Sequence, residues 1–420
     1  MRRLMHIWGV AVFLLWTVFS LPARAEDLRL DDLIAEALKN NPDIQAAEAR
    51  AAAAGQRISQ EASLMDPMFS IGYQNEGFEE YTYGEAEDAQ WMFSLSQTFP
   101  FPGKRSLQRE AAFHEAEALR AGAEAARREV ASRVAQAYFD LFLAVKELDL
   151  IAARTPLAAR LEEAALARYA SGTGAQEEVI MAQSAKYMLL EAEAMARGRK
   201  ETAEAMIRRE ANITDSAPLA RPAALSPAPF PYTFEELVDR ADRNAPMLTE
   251  RNSMVAASQN RLLRAQKEAW PDLTLMGQYS NRGGGFEDMW GLTASVPLPL
   301  FYWRKQGAAV SENRWSLTGA RRELEAARLK IASEIRDNLA MVRASDRIIE
   351  LYRNALIPKS RQGIDAAIAA FSSGRMNASE ALSALKAPFD YELVLWQQQV
   401  QREKAIARIK ALTGDLEGHP

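Results

Sequence analysis

The sequence contains no cysteine, which excludes disulfides, thiolate nucleophiles and cysteine-based metal sites, and also an acylated cysteine at a processed N-terminus. Histidine is nearly absent: His6 lies near the start, His419 next to the end, and only His114 falls within the body of the chain. A single histidine on a charged helix is an ordinary surface residue rather than a metal ligand. Charge of one sign is lacking too, since 51 basic and 56 acidic residues are mixed throughout for a net charge of -5, leaving no basic face for nucleic acid. No nucleophile and base pair, phosphate loop or metal-ligand cluster is present, and Gly283-Gly-Gly285 reads as a loop tip. No catalytic, cofactor-binding or metal residue is therefore assigned, no cofactor is expected, and an enzyme is disfavoured.

Long apolar runs are scarce as well. The longest, Ile7 to Leu21, is short of the roughly 20 residues that span a bilayer. With Arg2 and Arg3 before it and Ala23 and Ala25 after it, residues 1–25 read as a secretory signal peptide cleaved before Glu26. Nothing later could cross a membrane as a helix, so any passage must use strands.

What is present is an internal repeat. Leu30, Leu33, Pro42 and Pro67 stand opposite Phe234, Leu237, Pro246 and Pro271 at an offset of 204. Trp91, Phe99 and Pro100 stand opposite Trp290, Leu298 and Pro299 at 199, and Tyr169-Ala-Ser-Gly172 opposite Phe371-Ser-Ser-Gly374 at 202. The halves are 26–213 and 232–415, followed by a tail at 416–420. Between them, 214–231 carries prolines at 218, 222, 227, 229 and 231 and reads as an extended connector without helix or sheet pairing.

Each half begins with helices that break before a proline, then shows two alternating runs. Strands are expected at about 67–76 and 90–99, and at about 271–281 and 289–298. Phe69, Ile71 and Tyr73 share a face, as do Trp91, Phe93 and Leu95; in the second half Leu273, Leu275 and Tyr279 do so, and Trp290, Leu292 and Val296. Serine, threonine, glutamine and glycine occupy much of the other face. Alternation over about ten residues suits an outer-membrane strand, apolar side to lipid, though a soluble sheet packed on one face would alternate likewise. Long helices should follow, at about 104–171 and 175–211, then 305–371 and 377–412. Val130, Val134, Tyr138 and Leu141 form a narrow coiled-coil stripe that Ile331, Ile335, Leu339 and Val342 repeat. Pro156 and Pro358 should kink or restart the outgoing helices.

Four strands cannot close a barrel, because edge amides would face hydrocarbon unpaired. The expectation is a mainly α protein with membrane β: a duplicated unit of strand hairpin plus long helical hairpin. Three copies would form a 12-stranded outer-membrane β-barrel continuous with a periplasmic α-helical barrel.

In element order, duplication and tip motif the chain resembles the TolC family of outer-membrane efflux factors. The tip motif is an aromatic, two residues, glycine and an acidic residue six further on, met by Tyr169, Gly172 and Glu178 and again by Phe371, Gly374 and Glu380. The segment from Leu95 to Arg105, Leu-Ser-Gln-Thr-Phe-Pro-Phe-Pro-Gly-Lys-Arg, resembles the subgroup serving heavy-metal resistance pumps of the RND type. The resemblance implies a homotrimer in the outer membrane of a Gram-negative bacterium, in contact with lipid and with no nucleic acid. It would be the exit duct of a tripartite pump with a periplasmic adaptor and an inner-membrane RND-type pump, carrying heavy-metal cations or, in the alternative, drugs or secreted protein. It places Tyr169, Ser171, Gly172, Phe371, Ser373 and Gly374 at the adaptor contact, and Glu178 and Glu380 at an acidic constriction, where solvated helix positions are the plainer reading. Methionines near the strands, Met65, Met68, Met92, Met276 and Met289, offer thioethers to a soft cation but equally fill gaps. A periplasmic coiled-coil adaptor or structural protein is the rival class; it would not need four lipid-compatible strands.

Overall fold

A computed structural model describes residues 27–215, 217–226 and 228–414. The expected leader at 1–25 and tail at 416–420 lie outside the described residues, as do Ser216 and Pro227 of the connector. The duplication is visible element by element. In the first half α1 (Leu30–Asn40) and α2 (Pro42–Ala62) lead to β1 (Met68–Gln74) and β2 (Gln90–Phe99), then to α3 (Lys104–Ala170) and α4 (Gln176–Ala211). In the second half α5 (Phe234–Asn244) and α6 (Pro246–Lys267) lead to β3 (Leu273–Asn281), β4 (Met289–Ser295) and the outgoing α7 (Gln306–Leu351). That outgoing limb ends in the short α8 (Ile357–Arg361) and α9 (Ile364–Ser372), and α10 (Ala378–Thr413) returns.

Local chemistry sets these boundaries. Pro42 and Pro246 each occupy a first helical turn, where a missing amide costs nothing. Asn41 caps α2 by accepting from the amides of Asp43 at 2.9 Å and Ile44 at 3.4 Å, while its own amide group donates to the Glu210 carbonyl at 2.8 Å. One buried side chain thus starts α2 and ties it to the end of α4. Thr233 with Glu236, and Asn377 with Glu380, form reciprocal capping boxes at the starts of α5 and α10.

The two outgoing helices differ where the sequence predicts equivalence. Pro156 lies inside α3, which runs its 67 residues without restarting and spans on the order of 100 Å. Around Pro358 a wider π turn, Tyr352–Leu356, interrupts the limb, and a second break at Gln362 and Gly363 separates α8 from α9. The π turn takes up the hydrogen-bond mismatch that a proline creates with the carbonyl four residues before it. The single helix expected over 305–371 is therefore three. Pro388 sits buried inside α10, which continues through it.

The predicted stripes become two separate cores. Val130, Val134, Tyr138 and Leu141 pack with Leu33, Ala37, Ile44 and Ile207. Ile331, Ile335, Leu339 and Val342 pack with Leu237, Leu248, Ile406 and Ile409. The connector is extended but does pair, contrary to expectation: the Leu28 amide donates to the Arg221 carbonyl at 2.8 Å and the Ala223 amide donates to the Leu28 carbonyl at 3.0 Å. Pro222 lies between these two bonds, so its missing donor is not needed.

All four strands join one antiparallel sheet in the order β1-β2-β3-β4. The inner pair β2 and β3 joins the two repeats, and among the described residues the outer edges of β1 and β4 have no partner strand. Val296, expected within the fourth strand, falls just past its end at Ser295, because Pro297 and Pro299 supply no amide donors to the ladder.

Candidate functional site: a two-faced sheet and a helical tip

The register decides which side chains share a face. Phe69 pairs with Leu95, Ile71 with Phe93 and Tyr73 with Trp91; Phe93 also pairs with Tyr279 and Phe99 with Leu273; Tyr279 pairs with Trp290 and Gly277 with Leu292. Directly opposed residues project to the same side, so these side chains and Leu275 build one apolar face. Most of it is exposed, with Trp290 at 82%, Leu292 at 73% and Phe69 at 65%. The other face carries Ser70, Ser94, Ser96, Thr98, Thr274, Gln278, Ser280, Thr293 and Ser295, and a hydroxyl pair links Thr98 and Thr274 at 2.9 Å. The four methionines of the sheet, Met68, Met92, Met276 and Met289, all lie on this polar face, none among the apolar side chains.

The loops beyond the strands lean on each other. Tyr83 donates to Asn281, and Gly84 and Gly284 approach so closely that a side-chain carbon on Gly284 would overlap the Gly84 carbonyl. Both glycines have positive φ, 78° and 59°. The glycine run expected to be only a loop tip is thus also a close contact between the two repeats.

At the opposite end of each helical hairpin the chain reverses through Gly172 and Gly374, both at φ 73°. Left-handed backbone lets the amides of Thr173 and Arg375 reach back to the carbonyls of Arg168 and Ala370 at 2.9 and 2.8 Å. Ser171, Gly172, Ser373 and Gly374 are exposed, and Tyr169 is half-exposed. Phe371 is not. It is fully buried among Leu161, Ala165, Val179, Ala381 and Leu385. The structure corrects its expected role: Phe371 anchors the tip from inside and presents no surface, although its repeat counterpart Tyr169 does.

The two acidic residues of the motif also differ. Glu178 is largely covered, with Oε2 at 3.5 Å from Arg168 Nη2, an ion pair. Arg168 also donates through Nη1 to the Phe371 carbonyl at 2.6 Å, with its guanidinium carbon 4.9 Å from the Phe371 ring centroid. Glu380 is exposed and engaged only in its capping box, its amide donating to Asn377 Oδ1 at 2.8 Å. Arg168 is a residue that sequence reasoning missed. Its repeat counterpart is Ala370, so the duplication carried no signal for it.

Where sheet meets helices, Lys104 is buried and its Nζ lies 2.9 Å from both Glu268 Oε2 and Asp272 Oδ1. Asp272 also accepts from the Phe101 amide at 2.8 Å. One lysine of the first repeat thus fixes the head of β3 in the second. Among the described residues no group of three or more acidic, histidine or cysteine side chains is placed to hold a metal ion, and no helix is long and apolar enough to cross a membrane.

Comparison with known proteins meets this geometry. The sequence profile described as outer membrane efflux protein matches residues 33–212 and 237–415, the two repeats. Among solved structures the chain is similar to CusC, described as forming a transmembrane channel, at 16% identity and a TM-score of 0.77, covering 92% of each chain. It is similar to a membrane protein from Pseudomonas aeruginosa at 20% identity and a TM-score of 0.79, covering 92% of this chain and 90% of that one. The CmeC outer membrane channel of Campylobacter jejuni is similar at 17% identity and a TM-score of 0.77, covering 93% and 87%. No curated protein sequence matches.

Proposed function

The chain belongs to the outer membrane efflux protein family, and we propose that three copies of it form a passive exit duct, a closed barrel of twelve strands above a helical tube, that performs no chemical step. The observation that carries this reading is the four-stranded sheet with one apolar face and two free edges. Such a sheet has its lipid side ready but leaves edge amides that hydrocarbon cannot satisfy, so it must close with copies of itself. Two copies would give eight strands and little lumen, whereas three give twelve. The same observation disfavours a periplasmic adaptor, which has no use for an exposed apolar sheet face.

The helices extend on the order of 100 Å from the sheet, a length no local core requires and one that suits passage through the periplasm. The exposed turns around Gly172 and Gly374 are then the part that meets a periplasmic adaptor and, through it, an inner-membrane pump of the RND type. Glu178 and Glu380 would gather near the threefold axis as acidic positions at the mouth.

For cargo the reading is heavy-metal cations. Its support is the resemblance of the segment Leu95 to Arg105, together with the placement of every sheet methionine on the polar, lumen-side face, where thioethers meet a soft cation rather than fill a core. The deciding experiment is purification from outer-membrane fractions in detergent, with mass by light scattering and conductance in planar bilayers. A trimeric channel supports the duct, and a folded monomer that conducts refutes it. Cargo is tested by silver or copper accumulation in cells with and without the gene.

A further inference from the structure

Methionine stands apart from the other apolar residues of the sheet. Every leucine, isoleucine and aromatic side chain of the four strands projects to the apolar face, and methionine alone of the larger apolar types projects to the polar one. The register sets the four methionines in two rows across the strands. Met68, Ser96 and Met276 lie side by side on β1, β2 and β3, and Met92, Ser280 and Met289 lie side by side on β2, β3 and β4. Each row places a serine between two thioethers. Met68 and Met289 are 65% and 54% exposed and fill no core. Met92 has its methyl carbon over Gly72, 3.6 Å from where a Cβ would stand there, and its neighbours across the strands, Gly72 and Ser280, leave it room to swing.

Resting on the duct reading and its assignment of this face to the lumen, we propose that each row is a binding site for a soft monovalent cation, copper(I) or silver(I), held between its two thioethers above the serine. Backbones two strands apart are separated by about 9.6 Å, and two metal–sulfur bonds of about 2.3 Å in line need sulfurs about 4.6 Å apart. Each methionine must therefore lean inward by about 2.5 Å, which a side chain with three rotatable bonds reaches. Serine is short enough to leave that space open and adds a hydroxyl beneath the ion.

Donor chemistry sets the class of ion. The four strands carry no aspartate, glutamate, histidine, lysine or arginine. Hard divalent cations need oxygen ligands, chiefly carboxylates, and zinc needs imidazole, thiolate or carboxylate, so the sheet offers them nothing beyond hydroxyl and amide groups. Neutral thioethers remain, and they favour copper(I) and its heavier congener silver(I). They also hold an ion loosely enough to release it, which a conducting path requires. The rows stand four residues apart along β2 and β3, about 13 Å, so a cation leaving one row has a second site ahead of it. Three copies would line the barrel with three such sites at each of two levels.

The absence of native cysteine leaves methionine as the only sulfur in the chain, so the test is direct. The full protein, in detergent and chloride-free buffer, is titrated with silver(I), and silver X-ray absorption reads whether sulfur surrounds the ion. Met68→Leu with Met276→Leu, and Met92→Leu with Met289→Leu, keep the apolar bulk and should each remove one site per copy while the trimer persists by light scattering. All four substitutions together should weaken silver binding by at least roughly tenfold. Ser96→Leu, which keeps every sulfur but fills the gap in one row, should also cost one site. Met188→Leu with Met195→Leu, at exposed positions on α4, should leave binding unchanged. Silver held as tightly by the fourfold variant as by the wild type overturns the sites, and so does zinc or cadmium bound by the wild type as tightly as silver; a conducting trimer keeps the duct in both cases. A wild type that forms no conducting trimer overturns the duct reading itself.

Discussion

Arg168, in the last turn of the first outgoing helix, donates to the Phe371 carbonyl at 2.6 Å while its guanidinium lies 4.9 Å from the centre of the Phe371 ring. One side chain of the first repeat thereby holds the terminal aromatic of the second, and the same guanidinium is 3.5 Å from Glu178. The tip is a shared structure of both hairpins, with Leu161, Val179, Phe371 and Leu385 in one core.

Arg168→Ala should loosen that tip. Losing a charged hydrogen bond and a cation–π contact costs about 2 kcal/mol, which corresponds to roughly 30-fold easier local opening. Hydrogen exchange at the amides of Gly374 and Arg375 is the measurement, expected to accelerate by that factor without change in the strands. Arg168→Lys should recover only part, since an ammonium cannot donate to the carbonyl and stack on the ring together.

The apolar sheet face should be intolerant of charge. Leu95→Arg or Leu292→Arg should impair assembly into the outer membrane far more than Ser94→Arg or Thr293→Arg, with a cost of about 2 to 4 kcal/mol for an arginine facing mid-bilayer. The yield of folded protein in outer-membrane fractions reads the difference. Equal damage from both sets would show that the assigned lipid side is wrong.

In the proposed duct the two acidic residues of the tip should not be interchangeable. Glu178 is already paired with Arg168, whereas Glu380 is exposed and only caps its helix. Glu380→Gln should lower cation preference and reduce block by multivalent cations more than Glu178→Gln, because only the uncompensated charge adds fully to the field at the axis. Single-channel recordings of both variants decide this. No change in either would make both ordinary solvated helix charges.

Lys104→Met should destabilise the junction by about 2 kcal/mol. It takes the buried cation from two carboxylates, but Asp272 keeps the Phe101 amide, Glu268 keeps Arg264 at 3.7 Å, and both are about one-third exposed, which keeps the cost below that of a fully buried broken pair. Thermal unfolding of the purified protein in detergent checks the value.

Glu236 supplies a pH signature. The Thr233 amide, then the Thr233 hydroxyl partnership, hold its carboxyl below the usual glutamate range. A depressed folded value means that its contribution is present above the ordinary glutamate pKa and is lost as pH falls through the lower folded one. Carboxyl-carbon NMR should find its midpoint lowered in the wild type and raised only part of the way back in Thr233→Ala, because alanine removes the hydroxyl but keeps the amide that donates to Glu236.

The duplication, the four strands with their apolar and polar sets, the long helices and the paired turn glycines were all legible in the sequence, because each is a local, periodic property. Period-two alternation fixes a strand's faces whatever its neighbours, and a glycine at a chain reversal answers to its own φ. Three features depended on tertiary structure. The order β1-β2-β3-β4 and its register decided that the four apolar sets, and separately all four sheet methionines, fall on common faces; strand patterns carry faces but not pairings. The burial of Phe371, against the half-exposure of Tyr169, arose from packing between repeats, which a motif shared by both halves cannot distinguish. Pro156 and Pro388 lie inside helices that run on through them, whereas a π turn precedes Pro358; a proline in the sequence marks a lost hydrogen bond, but whether the helix continues past it is a balance of a few kcal/mol that the sequence pattern alone does not settle.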